Sequence, residues 1–171
     1  MTVYRRFADV RSLVADLMTR ELGELLAKAA ADAAGACTVR ERLVSATVAG
    51  VRELWADPLL GRLLDLDPEL LLPYVVSRIG STQRFVEQVL RANVEAGQAD
   101  GSIRHGDSKI ISRGVYLTLQ SFALSVRPAV SELGDAATAR HNLLKELTLI
   151  LHGALQPPAK PPTPHNPHPA A

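Results

Sequence analysis

Apolar positions recur at helical spacing along nearly the whole chain, and the strict alternation of a half-buried strand is absent, so the pattern predicts an all-α fold. The first segment, residues 9–34, carries Leu13, Leu17, Leu22 and Leu25 on one stripe, with Asp9 placed to cap it and Gly35 to stop it. A second helix is predicted from Thr38, whose hydroxyl and Glu41 make a capping box. Val44, Val48, Val51 and Trp55 form its buried stripe, and Asp57-Pro58 ends it. A short helix over 59–66 follows. Asp67-Pro68 then starts another, with proline at the first helical position where its missing N–H costs nothing, leading into a longer helix carrying Phe85, Val89 and Val94.

Residues 95–107 read as a helix end, a turn and a fresh cap at Asp107, dividing the body in two. The next helix, 108–127, is apolar around most of its circumference. Ile111, Val115, Phe122 and Val126 lie on one side. Ile110, Gly114, Leu117, Ser121 and Leu124 lie on the other, where the small residues would let a second helix approach closely. Cover on both sides is therefore expected, and Pro128 is expected to end the helix. The last helix, 135–155, carries Leu143, Leu147, Ile150 and Leu151, a wider apolar stripe than an edge helix of a monomer needs. Two such helices in succession predict a homodimer contact through Gly114, Leu117, Ser121, Leu124, Leu143, Leu147, Ile150 and Leu151. From Gln156 onward seven prolines predict an extended, disordered tail.

A chain of 171 residues can bury one substantial core with a small appendage. Its 19 basic and 18 acidic residues leave a net charge of +1, so any contact with nucleic acid must come from a local patch. The single cysteine, Cys37, forms no internal disulfide and reads as a small apolar residue; with no secretory leader or membrane span, a cytoplasmic location is expected. His105, His141 and His152 lack metal-ligand spacing, and His165 and His168 sit in the tail. No Gly-rich phosphate loop, nucleophile elbow or catalytic carboxylate pair is visible, so neither an enzyme nor a bound metal or cofactor is expected.

The one stretch that is both basic and aromatic is Thr2-Val3-Tyr4-Arg5-Arg6-Phe7, followed by the capped start of the next helix. Its hydroxyl, phenol and guanidinium groups could hold a phosphate backbone, or the arginines could belong to a solvated, frayed terminus; charge alone leaves both open. The string resembles the end of the helix-turn-helix in TetR-family regulators: Thr, an apolar residue, Tyr, two variable residues and Phe, then the helix linking head to body. The turn Gly101-Ser102-Ile103-Arg104, the segment Leu119-Gln120-Ser121-Phe122-Ala123-Leu124 and the closing helix are similar to that family's regulatory domain.

The resemblance implies a ligand-responsive DNA-binding regulator, a repressor acting as a homodimer. Thr2, Tyr4, Arg5 and Arg6 would face operator DNA, while Phe7 would belong to the core of the head. A small apolar effector would sit among Trp55, Phe85, Val89, Tyr116, Gln120 and Phe122, with Tyr74 nearby; each of these could equally be ordinary core. Tyr116 and Gln120, one turn apart on an apolar helix, could orient such a ligand. The implied organisation is a head remnant plus linking helix over 1–36, a ligand-binding and dimerisation domain over 37–155, and the tail over 156–171. Val10 departs from the lysine the family often has there. The two helices that brace the recognition helix precede Thr2 in the family, so a misassigned start, a degenerate gene or a trimmed chain are all open. As written, the chain is expected to dimerise and to bind DNA weakly or not at all. The alternatives are a headless dimerisation or ligand-binding module, and a helical protein without a regulatory role.

Overall fold

The computed structural model describes residues 20, 23, 24, 27, 28, 31, 35–58, 61, 62 and 80–159. Thr2, Tyr4, Arg5, Arg6, Tyr74, the helix expected around 67–79 and the tail beyond residue 159 lie outside the described residues. The elements are α1 (Val39–Ala56), α2 (Ser81–Ala99), α3 (Ser108–Ser131) and α4 (Ala136–Leu155), with no strand among the described residues: the fold is all-α. Residues 20, 23, 24, 27, 28 and 31 are also helical. Lys28 reaches Glu53 at 3.3 Å, a solvent-facing tie of this segment to α1.

The starts of these helices are written locally. At α1 the Thr38 hydroxyl accepts from the Glu41 amide at 3.2 Å and the Glu41 carboxylate accepts from the Thr38 amide at 3.1 Å, the expected capping box. Asp57, in extended conformation, follows the last turn. Asp107 accepts from the amides of Lys109 and Ile110 to start α3, and Asp135 accepts from Thr138 at 2.8 Å to start α4.

The core forms where α1 meets the other three helices. Leu43, Val44 and Val51 of α1, Leu90 and Val94 of α2, Ile111 and Val115 of α3, and Leu147, Leu151 and Leu155 of α4 interlock there with Ile103 from the α2–α3 turn. A smaller cluster of Val126, Val130 and Ala139 closes the distal end of α3 against α4, with Trp55 and Leu143 packed on it. Two expectations are corrected here. Pro128 does not end α3; the helix runs through it to Ser131. An internal proline costs about 3 kcal/mol, but burial of Val126 and Val130 contributes about 1.5–3 kcal/mol each and offsets it. The Ser131 hydroxyl also donates to the Pro128 carbonyl at 2.8 Å.

The second correction concerns Leu147 and Leu151, expected at a subunit contact. They are 0% and 1% exposed within their own chain, so their side chains offer nothing to a partner. Residues 143, 147, 151 and 155 share the inward stripe of α4, and its outward apolar residues are Leu149 and Ile150 instead.

Candidate functional site

The sequence-predicted pocket and contact residues of α3 fall on two flanks of that helix. On one flank α3 meets α2 through polar groups. Arg113 pairs with Glu87, its Nη2 donating to Oε2 at 2.7 Å and its Nε to Oε1. One turn further on, the Tyr116 phenol shares a side-chain hydrogen bond with Gln83, whose Oε1 also accepts from the Gly80 amide at 2.6 Å. Burial pushes the Tyr116 phenol above its ordinary range, the Gln83 hydrogen bond opposing. The phenol is therefore neutral at neutral pH. The Arg113 guanidinium is held above its usual range, chiefly by its hydrogen bond to Glu87.

Trp55, near the end of α1, lies between the two core clusters, and its indole Nε1 donates to the Phe122 carbonyl at 3.0 Å. Phe122 and Tyr116 pack against the same main cluster, and Gln120 is half-buried one turn beyond Tyr116. The structure thus groups Trp55, Tyr116 and Phe122 around one core, with Gln120 on the same helix. It does not bring Phe85 to Tyr116. Phe85 lies about 200° around α2 from Gln83 at ~100° per residue and is 40% exposed, with half-buried Val89 one turn along. Gln83, Glu87 and Arg113 were missed from sequence. Their only sequence signal is polar residues at helical spacing on two separate helices, which does not state that the helices pair.

On the other flank α3 turns apolar residues outward. Ile110 is 68% and Leu117 56% exposed, with Gly114 and Ser121 exposed between and beyond them and Leu124 half-buried at the far end. Residues 110, 114, 117, 121 and 124 make one helical stripe. The chain's own core covers the Ile111, Val115 and Val126 side of α3 and leaves the other side, where a second helix was expected to approach, facing outward. On α4, Leu149 is 64% and Ile150 45% exposed, while Leu143 is half-buried.

Cys37 is an exposed free cysteine. Among the described residues no group of three or more His, Cys, Asp or Glu is arranged to hold a metal ion, and no helix is long and apolar enough to cross a membrane.

No family model matches the chain. It is similar to an HTH-type transcriptional regulator of Mycobacterium tuberculosis strain H37Rv, 33% identical over 154 residues that span 90% of this chain and 76% of the relative. The same identity and coverage hold for HTH-type transcriptional regulators of Mycobacterium tuberculosis strain CDC 1551 and of Mycobacterium bovis. Similarity of that extent runs through the helical body rather than resting on one short motif, and the chain belongs to the HTH-type transcriptional regulators.

Proposed function

We propose that the chain is a TetR-type, ligand-responsive repressor that acts as a homodimer in the cytoplasm and binds operator DNA where its head is complete. The observation that carries this reading is the similarity to HTH-type regulators over 90% of the chain, supported by the string Thr2-Val3-Tyr4-Arg5-Arg6-Phe7, which resembles the end of a TetR-type recognition helix. Thr2 and Tyr4, with Arg5 and Arg6, contact the DNA. Residues 1–36 make the end of the head and the linking helix, residues 37–155 the ligand-binding and dimerisation domain, and residues 156–171 the tail.

Support for the homodimer comes from the outward stripe of α3 and from Leu149 and Ile150 of α4. Large apolar side chains left 45–68% exposed on two neighbouring helices are a costly surface for a monomer. A two-fold pairing of α3 and α4 with their copies buries it. Gly114, Leu117, Ser121, Leu124 and Ile150 remain its contact residues, joined by Ile110 and Leu149, while half-buried Leu143 packs on the inner cluster and contributes at most its exposed edge.

The effector is a small, mostly apolar molecule held near Trp55, Tyr116, Gln120 and Phe122, where the neutral phenol and the amide provide polar contacts to an otherwise apolar ligand. Phe85 and Val89 border the same domain on the outer side of α2. Binding there shifts the helix expected from sequence over residues 9–34 and changes the spacing of the two heads, so that they no longer match successive major grooves. The test is a mobility shift with the DNA flanking the protein's own gene, alongside light scattering at micromolar concentration. A dimer that shifts this DNA supports the reading. A dimer that shifts no flanking DNA leaves a headless dimerisation module, and a monomer removes the regulator model altogether.

A further inference from the structure

We infer that the turn between α2 and α3 is a mechanical joint that makes the start of α1 and the end of α4 open and close as one unit. An α-helix leaves its first amides and last carbonyls without partners inside the helix. At α1 the first two of these amides are satisfied by residues more than sixty positions away. The Val39 amide donates to Asp100 Oδ2 and the Arg40 amide to Ser102 Oγ, both at 3.1 Å, and the Ser102 amide donates to Asp100 Oδ1 at 2.8 Å. At α4 the same turn satisfies the opposite end. The Arg104 amide donates to the Leu155 carbonyl at 2.8 Å, and Arg104 Nε donates to the Ala154 carbonyl at 2.7 Å.

Charge agrees with both ends, since the Asp100 carboxylate stands at a helix N-terminus and the Arg104 guanidinium at a C-terminus, each opposite the matching pole of the helix dipole. Between them the turn has almost no freedom. Ile103 is 1% exposed, its amide donates to the Gly97 carbonyl at 2.8 Å, and a Cβ on Gly97 would come within 2.4 Å of Ile103 Cδ1. Gly101 holds φ at +76°, which other residues rarely adopt. Gln98 Nε2 donates to the carbonyls of both Arg104 and Gly106, fixing the far side of the turn. A displacement at either helix end therefore has to move the buried Ile103 or break the bonds at the other end.

The regulatory use of the joint rests on the repressor reading: α1 follows the segment that leads from the head, and α4 carries part of the proposed subunit contact. The joint itself can be tested without DNA or effector, so the two can fail separately. Amide exchange would be followed residue by residue in the full chain by NMR. Asp100→Ala is expected to speed exchange about fivefold, the equivalent of about one net hydrogen bond, at Val39, which it touches, and also at Arg104, whose partner is Leu155. Reciprocally, Arg104→Ala is expected to speed exchange at Val39 and Arg40. Asp135→Ala, which uncaps the other end of α4, is expected to leave Val39 unchanged. Should Asp100→Ala fail to fold, Ser102→Ala keeps the carboxylate, removes the Arg40 acceptor and the hydroxyl's own hydrogen bond to Asp100, and is expected to speed exchange at Arg104 likewise. Variants that affect only their own helix end overturn the joint, as does an Asp135→Ala effect at Val39 equal to that of Asp100→Ala.

Discussion

Leu117→Glu separates the proposed subunit contact from the core. Leu117 is 56% exposed, so burying the remainder in a dimer would contribute about 0.8–1.7 kcal/mol of the 1.5–3 kcal/mol a fully buried leucine supplies. Two-fold symmetry counts it twice, giving about 1.7–3.4 kcal/mol. At ~1.4 kcal/mol per factor of ten, the dimer dissociation constant should rise by roughly 15–250-fold, and further because each new carboxylate would be desolvated. Because the side chain faces away from the chain's own core, the helix content of the subunit should not change. Leu147→Ala is the contrasting variant. Leu147 is 0% exposed inside the subunit, so its truncation should cost about 2–5 kcal/mol of folding stability without a direct effect on association. Analytical ultracentrifugation over a concentration series measures the first effect, and thermal unfolding followed by circular dichroism measures the second. The reasoning fails if Leu117→Glu stays dimeric with unchanged affinity, or if it unfolds the subunit as Leu147→Ala should.

Three further outcomes follow from the geometry. Gly97→Ala should cost about 1–3 kcal/mol in chemical denaturation, because the added methyl overlaps Ile103; an unchanged midpoint would show that the turn gives way. Thr38→Ala removes one half of the α1 capping box and should cost about 0.5–2 kcal/mol, read as a fall in melting temperature. Glu95, Asp100 and Asp135 are each held below the usual carboxylate range: Glu95 chiefly by Arg91, Asp100 by Ser102 and Asp135 by the Thr138 amide. A depressed folded-state pKa contributes stability that is fully present above the unfolded value near pH 4 and is lost as pH falls through the lower folded value. Acid titration should therefore show stability falling below about pH 4, and Glu95→Gln, Asp100→Asn and Asp135→Asn together should flatten that fall; an identical acid limb in the triple variant would contradict the assignment.

Local sequence was sufficient wherever the determining groups lie within a few residues of one another. Thr38 with Glu41, Asp107 and Asp135 each cap the helix that follows within three positions, so the starts of α1, α3 and α4 stand where the pattern places them. The inward stripe of α1 was legible for the same reason: Val44 and Val51 repeat at the helical period and are buried. Sequence pattern together with similarity along the chain also identifies the regulator family, because both depend on the order of residues and not on their pairing in space.

What tertiary structure alone decided is which of several apolar faces meets the core. α3 is apolar on two sides and α4 broadly so, and periodicity cannot rank one side above another. Packing against α1 took Ile111, Val115, Leu147 and Leu151 inward and left Ile110, Leu117, Leu149 and Ile150 outside. The same burial energy carried α3 through Pro128 against a local rule that holds only when nothing offsets it. Contacts between residues distant in sequence were equally illegible. Glu87 with Arg113, Trp55 with the Phe122 carbonyl, and the bonds from Val39 and Arg40 to Asp100 and Ser102 join segments 26 to 67 positions apart. A capping bond made by the nearest residues is written in the local sequence, whereas one made across the fold exists only after the helices have packed.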